Sequence, residues 1–181
     1  MRLSLRPHPV EHGKAVATIE VTVERPAVDR LRLTYAVRGK TDDLVLPAPR
    51  PPLRSHGLWE TTCFEAFLRS RCETAYREFN FSPSGEWAAT LLRYYRDLSP
   101  PDAALPANPE IQLEALGPDS FELRVDLRTD LPSGPCRLNL AAVIEERDGT
   151  KSYWALAHWH GKPDFHHRAC FVLELPPAEQ P

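Results

Sequence analysis

Hydrophobic and polar residues alternate along much of the chain, and this alternation is its strongest structural signal. In residues 28–37, one set of alternate positions holds Leu31, Leu33, Tyr35 and Val37, and the other holds mainly arginine and threonine. A period of two places alternate side chains on opposite faces of a β-strand. The pattern predicts ten strands, at residues 18–23, 28–37, 62–69, 76–81, 87–95, 111–116, 121–127, 137–146, 151–157 and 169–175.

These short strands predict an all-β fold. No stretch shows the 3.6-residue period of a long amphipathic helix, and many short strands need a second layer to cover their apolar faces. We therefore expect one domain over residues 1–175, an antiparallel two-sheet β-sandwich, with a disordered tail at residues 176–181. We also expect less than about a tenth of the residues in α-helix, well under the usual third.

Composition changes this picture in two respects. The 181 residues include 19 prolines, which interrupt helices and sheet ladders, so the proline-rich segments 42–53 and 98–109 are expected to be extended connections. The 22 basic and 25 acidic side chains leave a net charge of −3. Because this balance offers no attraction for polyanions, we expect neither nucleic acid nor a membrane surface as a partner.

The chain carries no recognisable export signal. Its first residues lack the apolar run of about 7 to 15 residues that a secretory signal requires, and no segment approaches the roughly 18 apolar residues of a membrane helix. No C-x-x-C pair occurs among the cysteines, which are Cys63, Cys72, Cys136 and Cys170. We therefore expect a cytoplasmic protein with unpaired thiols.

Residues 57–68 contain the first group of side chains suited to ligand binding. A period of two places Trp59 and Glu65 on the face opposite Phe64, and Asn80 on the equivalent face of the next strand. An aromatic ring can stack on the C–H surface of a sugar, while a carboxylate accepts hydrogen bonds from its hydroxyls. The alternative interpretation is structural, with Trp59 capping the edge of the sandwich and Glu65 paired with an arginine.

The second group lies in residues 153–167, where histidines are concentrated. His158 and His160 have the H-x-H spacing of a metal-chelating pair, and Asp164, His166 or His167 would complete the ligand shell. Closed zinc sites generally show a second ligand pair with fixed spacing, and here the cysteines lie elsewhere. The preferred interpretation is therefore a turn that forms the rim of a ligand site, a cap over the open end of the sandwich being equally compatible, and no metal is predicted.

The order of these motifs resembles the DOMON-like proteins related to type 9 carbohydrate-binding modules. The similarity covers about residues 58 to 175 and includes the L-W-E and F-E-A-F-L segments, the F-N-F-S-P-S-G hairpin and the closing F-H-H element. The resemblance implies a jelly-roll-like β-sandwich that binds a sugar or haem without catalysing a reaction on sugars. It also implies that Trp59 stacks on the sugar and that Glu65, six residues later, accepts hydrogen bonds from its hydroxyls.

The resemblance extends to two further positions, and it also indicates which residues could bind haem. It places Asn80 in the ligand site and makes Trp154 the nearest counterpart of a second stacking tryptophan. Haem-binding relatives of the cytochrome type use a methionine and a histidine as axial ligands, whereas Met1 is the single methionine of this chain. A haem site here would therefore have to rely on histidine alone.

Three functions remain open from the sequence. The leading prediction is a non-catalytic domain that binds a carbohydrate or sugar-like small molecule and has no cofactor. Its predicted ligand-binding residues are Trp59, Glu65, Asn80, Trp154, His158, His160, Asp164 and His166. The alternatives are a haem or metal protein that uses the histidines of residues 158–167, and a structural or protein-interaction module.

An enzyme is not expected. Glu60 and Glu65 are an odd number of residues apart, so on one strand they face opposite ways and cannot flank a single glycosidic bond. The sequence also lacks the G-x-S-x-G motif that would present a nucleophilic serine on a sharp turn.

Overall fold

The computed structural model describes residues 1–97, 101–131 and 135–175, so the predicted tail at residues 176–181 lies outside the described residues. This part of the chain contains three short 3₁₀ helices, Thr41–Asp43, Leu58–Glu60 and Arg168–Cys170, and no α-helix. None of its helices has the length and hydropathy needed to cross a membrane. The strands are β1 (Arg2–Pro7), β2 (Val16–Ala27), β3 (Arg30–Gly39), β4 (Cys63–Ser70), β5 (Tyr76–Phe81), β6 (Trp87–Leu92), β7 (Glu110–Gly117), β8 (Ser120–Arg128), β9 (Cys136–Glu145), β10 (Lys151–Ala155) and β11 (Leu173–Glu174).

The strands form one continuous antiparallel sheet. Neighbours follow the order β6-β5-β4-β9-β10-β1-β2-β3-β8-β7, and β11 pairs with the beginning of β9. β1 joins the two halves, because residues 2–5 pair with β2 whereas Arg6 and Pro7 pair with β10. The sheet curls into a half-barrel. The all-β, antiparallel prediction is confirmed, but two separate sheets are not observed because β1 is shared by both halves.

The main core lies inside this curl and is built from the predicted alternation. On β3, Leu31, Leu33, Tyr35 and Val37 are each at most 1% exposed. They face buried residues of the opposite half, where the Tyr35 ring lies 5.0 Å from that of Phe64. The Tyr35 hydroxyl donates a 2.9 Å hydrogen bond to the Glu65 carbonyl oxygen and so links β3 to β4.

A second, smaller core covers the outer face of the half that contains β4, β5 and β9. Phe67 of β4 contacts Phe165 and Phe171, which lie on the segment between β10 and β11. Both faces of β4 are therefore buried, and its residues 63–68 all lie in the interior. Glu65 is on the outer face of β4, so its carboxylate lies beneath this covering segment instead of in solvent.

Several boundaries differ from the sequence prediction. β1 was not predicted, because its alternation rests on only two apolar residues, Leu3 and Leu5. The predicted strand at 169–175 consists of the 3₁₀ helix Arg168–Cys170 and the two-residue β11. β6 stops at Leu92, and the chain then turns through residues 93–96. The predicted free thiols are present, and of the four cysteines Cys72 alone is exposed.

Candidate functional site

Glu65 lies at the base of a cleft of about 280 Å³ on the outer face of the sheet. The residue is only 3% exposed, yet its carboxylate lines the cleft. Among the residues that the structure describes, the carboxylate has no hydrogen-bond donor and no ion-pair partner. The cleft is bounded by Trp59, Glu65, Glu78, Arg96, Val143, Tyr153, Pro163, Phe165 and His166.

A second carboxylate, that of Glu78, shares the cleft with Glu65. In the β4–β5 register Glu65 lies opposite Asn80 and Phe67 opposite Glu78, so the two glutamates are diagonal neighbours on one face. The Asn80 amide donates a 3.0 Å hydrogen bond to Glu78 Oε1. Burial, with a smaller contribution from the negative charge of Glu78, raises the pKa of Glu65 well above its usual range.

Glu65→Gln is expected to remove a pH dependence of stability. The folded protein holds the carboxyl proton of Glu65 more tightly than the unfolded chain does. The stabilisation that this difference gives is therefore complete at low pH, and it is lost as pH rises towards the pKa of Glu65 in the folded protein. As pH rises from about 4, the ordinary value for a glutamate, towards the raised pKa of the folded protein, the free energy of unfolding of the unmodified protein should fall relative to the variant. The fall should be about 1.4 kcal/mol for each unit by which the pKa is raised.

Urea unfolding at a series of pH values measures this difference. The exposed Glu60 provides the matched control, and Glu60→Gln should follow the unmodified protein at every pH. Parallel curves for the unmodified protein and Glu65→Gln would show that the carboxyl of Glu65 titrates equally in the folded and unfolded states.

Trp59 lies at the mouth of the cleft and is 56% exposed. It belongs to the 3₁₀ helix Leu58–Glu60, whose preceding residue, Gly57, has a φ of 72° that suits glycine. Leu58 is buried against Cys63 and Ala88 and anchors this helix. The alternation in the sequence placed Trp59 on the same strand face as Glu65. In the structure Trp59 precedes β4 and is not part of it, although it lines the same cleft as Glu65.

Asn80 is 4% exposed and does not line the cleft, but it is hydrogen-bonded to Glu78, which does. Its amide nitrogen binds Glu78, while its carbonyl oxygen accepts a 3.6 Å hydrogen bond from the Cys63 thiol. The predicted direct contact of Asn80 with a ligand has no counterpart among the cleft-lining residues. Asn80 is placed to orient the Glu78 carboxylate.

Pro163, Phe165 and His166, from the segment of residues 158–167, line one wall of the cleft. The Asn139 amide donates a 3.0 Å hydrogen bond to the Phe165 carbonyl oxygen and ties this segment to β9. His166 Nδ1 and the Tyr76 hydroxyl are hydrogen-bonded at 2.9 Å. Burial lowers the pKa of His166 and raises that of Tyr76 to about 12, so the pair is neutral near pH 7.

Asp164 does not line the cleft but contacts Arg96, which does. Its carboxylate accepts a 2.7 Å hydrogen bond from the Tyr95 hydroxyl and a 3.0 Å hydrogen bond from Arg96 Nη2. Arg96 has a φ of 51°, in the left-handed region that residues with a Cβ rarely occupy. These contacts hold the Arg96 guanidinium at the cleft.

Three predicted site residues lie elsewhere. Trp154 is 4% exposed in the main core, and its indole N–H donates to Ser152 Oγ at 3.1 Å, so no face of its ring is free to stack on a ligand. His158 Nε2 contacts the Arg6 carbonyl oxygen at 2.8 Å. His160 is exposed beside Trp159. Within the described residues, no cluster of histidine, cysteine, aspartate and glutamate is suited to hold a metal ion.

The sequence analysis missed several residues of the cleft. Glu78 is two residues before Asn80 on β5 and so lies on the same strand face. The period of two that identified Asn80 could therefore have identified Glu78. Arg96 could not have been identified in this way, since its position depends on a turn after β6 and on Asp164, 68 residues away. Tyr153, Val143 and Phe165 supply apolar surface whose alternation resembles that of ordinary core positions.

The fold is similar to those of carbohydrate-binding proteins. A crystal structure of a protein from Bacteroides uniformis that is proposed to bind carbohydrate has a TM-score of 0.71 and 14% identity, over 94% of this chain and 84% of that one. A family 9 carbohydrate-binding module from Caldicellulosiruptor kristjanssonii, solved with cellotriose, has a TM-score of 0.57 and 9% identity, over 89% and 74% of the two chains. No protein-family model and no curated protein matches the sequence. At these identities the similarity establishes a shared fold.

Proposed function

We propose that the cleft at Glu65 binds a carbohydrate and that the protein is a non-catalytic binding domain. The observation that carries the proposal is the exposed Trp59 ring at the mouth of a cleft whose base is the buried, unpaired carboxylate of Glu65. An indole ring stacks on the C–H face of a sugar, and the polar groups at the base bind its hydroxyls. The carbohydrate-binding neighbours support the same ligand class at the level of the fold.

The polar groups of the cleft suit neutral, hydroxylated ligands. Glu65 in its protonated form both donates and accepts, the Glu78 carboxylate accepts, and the Arg96 guanidinium donates. A fixed set of donors and acceptors around one ring gives a sugar site its orientation and specificity. Burying a carboxylate without a partner is costly, and hydrogen bonds from ligand hydroxyls would offset that cost.

The volume of the cleft limits the size of the bound group. Ligand pockets generally have volumes of about 300 to 1000 Å³, and about 280 Å³ places this cleft just below that range. We therefore expect a mono- or disaccharide unit to be enclosed, with any further units of an oligosaccharide projecting past Trp59.

Titration calorimetry with a panel of mono- and oligosaccharides, including glucose and cellotriose, tests the proposal. We expect at least one sugar to bind with a dissociation constant in the micromolar to millimolar range, about −8 to −4 kcal/mol, as is typical for one stacking ring and a few hydrogen bonds. The Trp59 fluorescence should change on binding. The absence of binding by every neutral sugar in the panel would contradict the proposed function.

A further inference from the structure

A second cleft, separate from the Glu65 cleft, has a positively charged lining. Its volume is about 270 Å³, and we call it the Arg69 cleft. The described residues that line it include two arginines, Arg69 and Arg168, and two histidines, His166 and His167, but no carboxylate. The Glu65 cleft, by contrast, contains two glutamates. The Glu65 cleft also contains Arg96, so the Arg69 cleft is the more positively charged of the two.

The guanidinium of Arg69 has no hydrogen-bond or ion-pair partner among the described residues. Its Nε atom is buried without a hydrogen bond, and no ion pair or hydrogen bond joins the group to any part of the chain that the structure describes. Its one contact of note is with the Phe171 ring, whose centre lies 5.1 Å from the guanidinium carbon. Arg69 is half-buried, and its Nε atom has lost contact with water without gaining a partner among the described residues, so a group that supplies hydrogen-bond acceptors would be favoured here.

Two further arginines increase the positive charge at this position. Arg137 of β9 lies directly opposite Arg69 in the sheet register, and its Nε atom is also buried without a partner. Burial, together with the charges of Arg137 and Arg168, lowers the pKa of Arg69. Like charges at directly opposed strand positions are destabilising. Nearby Arg71, unlike Arg69, has a carboxylate partner, because it is ion-paired with Glu174 at 3.4 Å.

His167 adds a hydrogen-bond donor to these arginines. Its Nδ1 atom accepts a hydrogen bond from the Ala169 backbone N–H at 3.3 Å, which leaves the proton of the neutral ring on Nε2. Its ring is stacked on that of Trp159, with 4.0 Å between the ring centres, so the orientation of the imidazole is fixed. Planar guanidinium groups and imidazole N–H groups are the donors that proteins use for phosphate and carboxylate oxygens.

We propose that the Arg69 cleft is a binding site for an oxyanion, the phosphate or carboxylate group of a small molecule, held by Arg69, Arg168 and His167. The anion supplies the acceptors that Arg69 lacks within the described chain. It also reduces the repulsion between the opposed guanidiniums of Arg69 and Arg137. This site does not require that the Glu65 cleft bind a sugar.

Titration with inorganic phosphate and with acetate, at constant pH and ionic strength, tests the proposal. We expect the full-length protein to bind at least one of the two anions and to be stabilised against heating by it. Arg69→Gln and Arg168→Gln should each weaken binding about tenfold, because each removes a charge-assisted hydrogen bond. Arg168 is exposed, so its variant tests the site even if Arg69→Gln folds poorly.

Arg71→Gln is the matched control, since it removes the same charge beside the cleft without changing its lining, and its affinity should stay within about twofold of the original. Trp59→Ala should bind phosphate normally even though it loses sugar binding, so the two proposals fail separately. Equal affinities for all the arginine variants, or no binding of either anion, would overturn the anion site.

A comparison of phosphate with glucose 6-phosphate identifies the source of the anion. Equal affinities indicate a free anion. Tighter binding of the sugar phosphate, with the gain lost in Trp59→Ala, indicates an anionic group carried by the sugar, with His166 at the boundary of the two clefts. Both results support an anion site, and they differ only in the molecule that carries the charge.

Discussion

Trp59→Ala is expected to abolish detectable carbohydrate binding while leaving the unfolding transition nearly unchanged. The side chain is 56% exposed and supplies the stacking surface at the mouth of the Glu65 cleft. Truncation of an aromatic binding hot spot generally costs about 2 kcal/mol or more, which lowers affinity at least about thirtyfold. Calorimetric titration of the sugar that binds the unmodified protein most tightly measures this loss.

Trp159→Ala is the matched control, because Trp159 is also an exposed tryptophan, at 45%, but does not line the Glu65 cleft. Its affinity for the sugar should remain within about twofold of the original. Full affinity in Trp59→Ala would place the sugar site elsewhere on the protein. Loss of cooperative unfolding in that variant would show that Trp59 is part of the core and would restore the structural interpretation of this residue.

Phe64→Ala is expected to reduce the free energy of unfolding by about 3 to 5 kcal/mol. Phe64 is 0% exposed, and its ring contacts Tyr35 and Phe121 with ring-centre distances of 5.0 and 6.3 Å. It is thus one of the side chains that hold the two halves of the curled sheet together. Such a loss is a large part of the roughly 5 to 15 kcal/mol that stabilises an ordinary domain.

Denaturant unfolding followed by fluorescence and by circular dichroism measures the effect. The two probes should give coincident transitions, because the shared core makes the halves one cooperative unit. Val172→Ala removes apolar surface from a side chain that is 53% exposed and should change stability by no more than about 0.5 kcal/mol. Separate transitions for the two probes would show that the halves of the sheet unfold independently.

The strands and their buried faces could be predicted because they depend on a local pattern. A period of two identifies the inward face of β3 and of β8 directly, and those residues are buried as expected. The same argument places Glu65 and Asn80 on the outer face of their strands, where the structure has them. Local alternation does not say what covers that outer face.

The remaining features depend on contacts between residues that are far apart in the chain. Nothing in the pattern around Trp154 distinguishes a buried tryptophan from an exposed one, and its position inside the curl follows from the pairing of β10 with β9. Arg96 reaches the Glu65 cleft through a left-handed turn and an ion pair with Asp164. The joining of both halves through β1 requires knowledge of two separate pairings, with β2 and with β10.

The shared strand β1 has a consequence for how the protein folds. Its residues Arg6 and Pro7 pair with Ala155 and Trp154, so the two sides of this junction are separated by almost 150 residues of chain. Contacts between distant residues slow folding, because loop closure must precede any gain from pairing. During synthesis the ribosome delivers β1 long before β10. Until β10 emerges, the curled sheet has an open edge beside its apolar core, so a nascent chain of this protein cannot complete its fold and that edge is open to pairing with other chains.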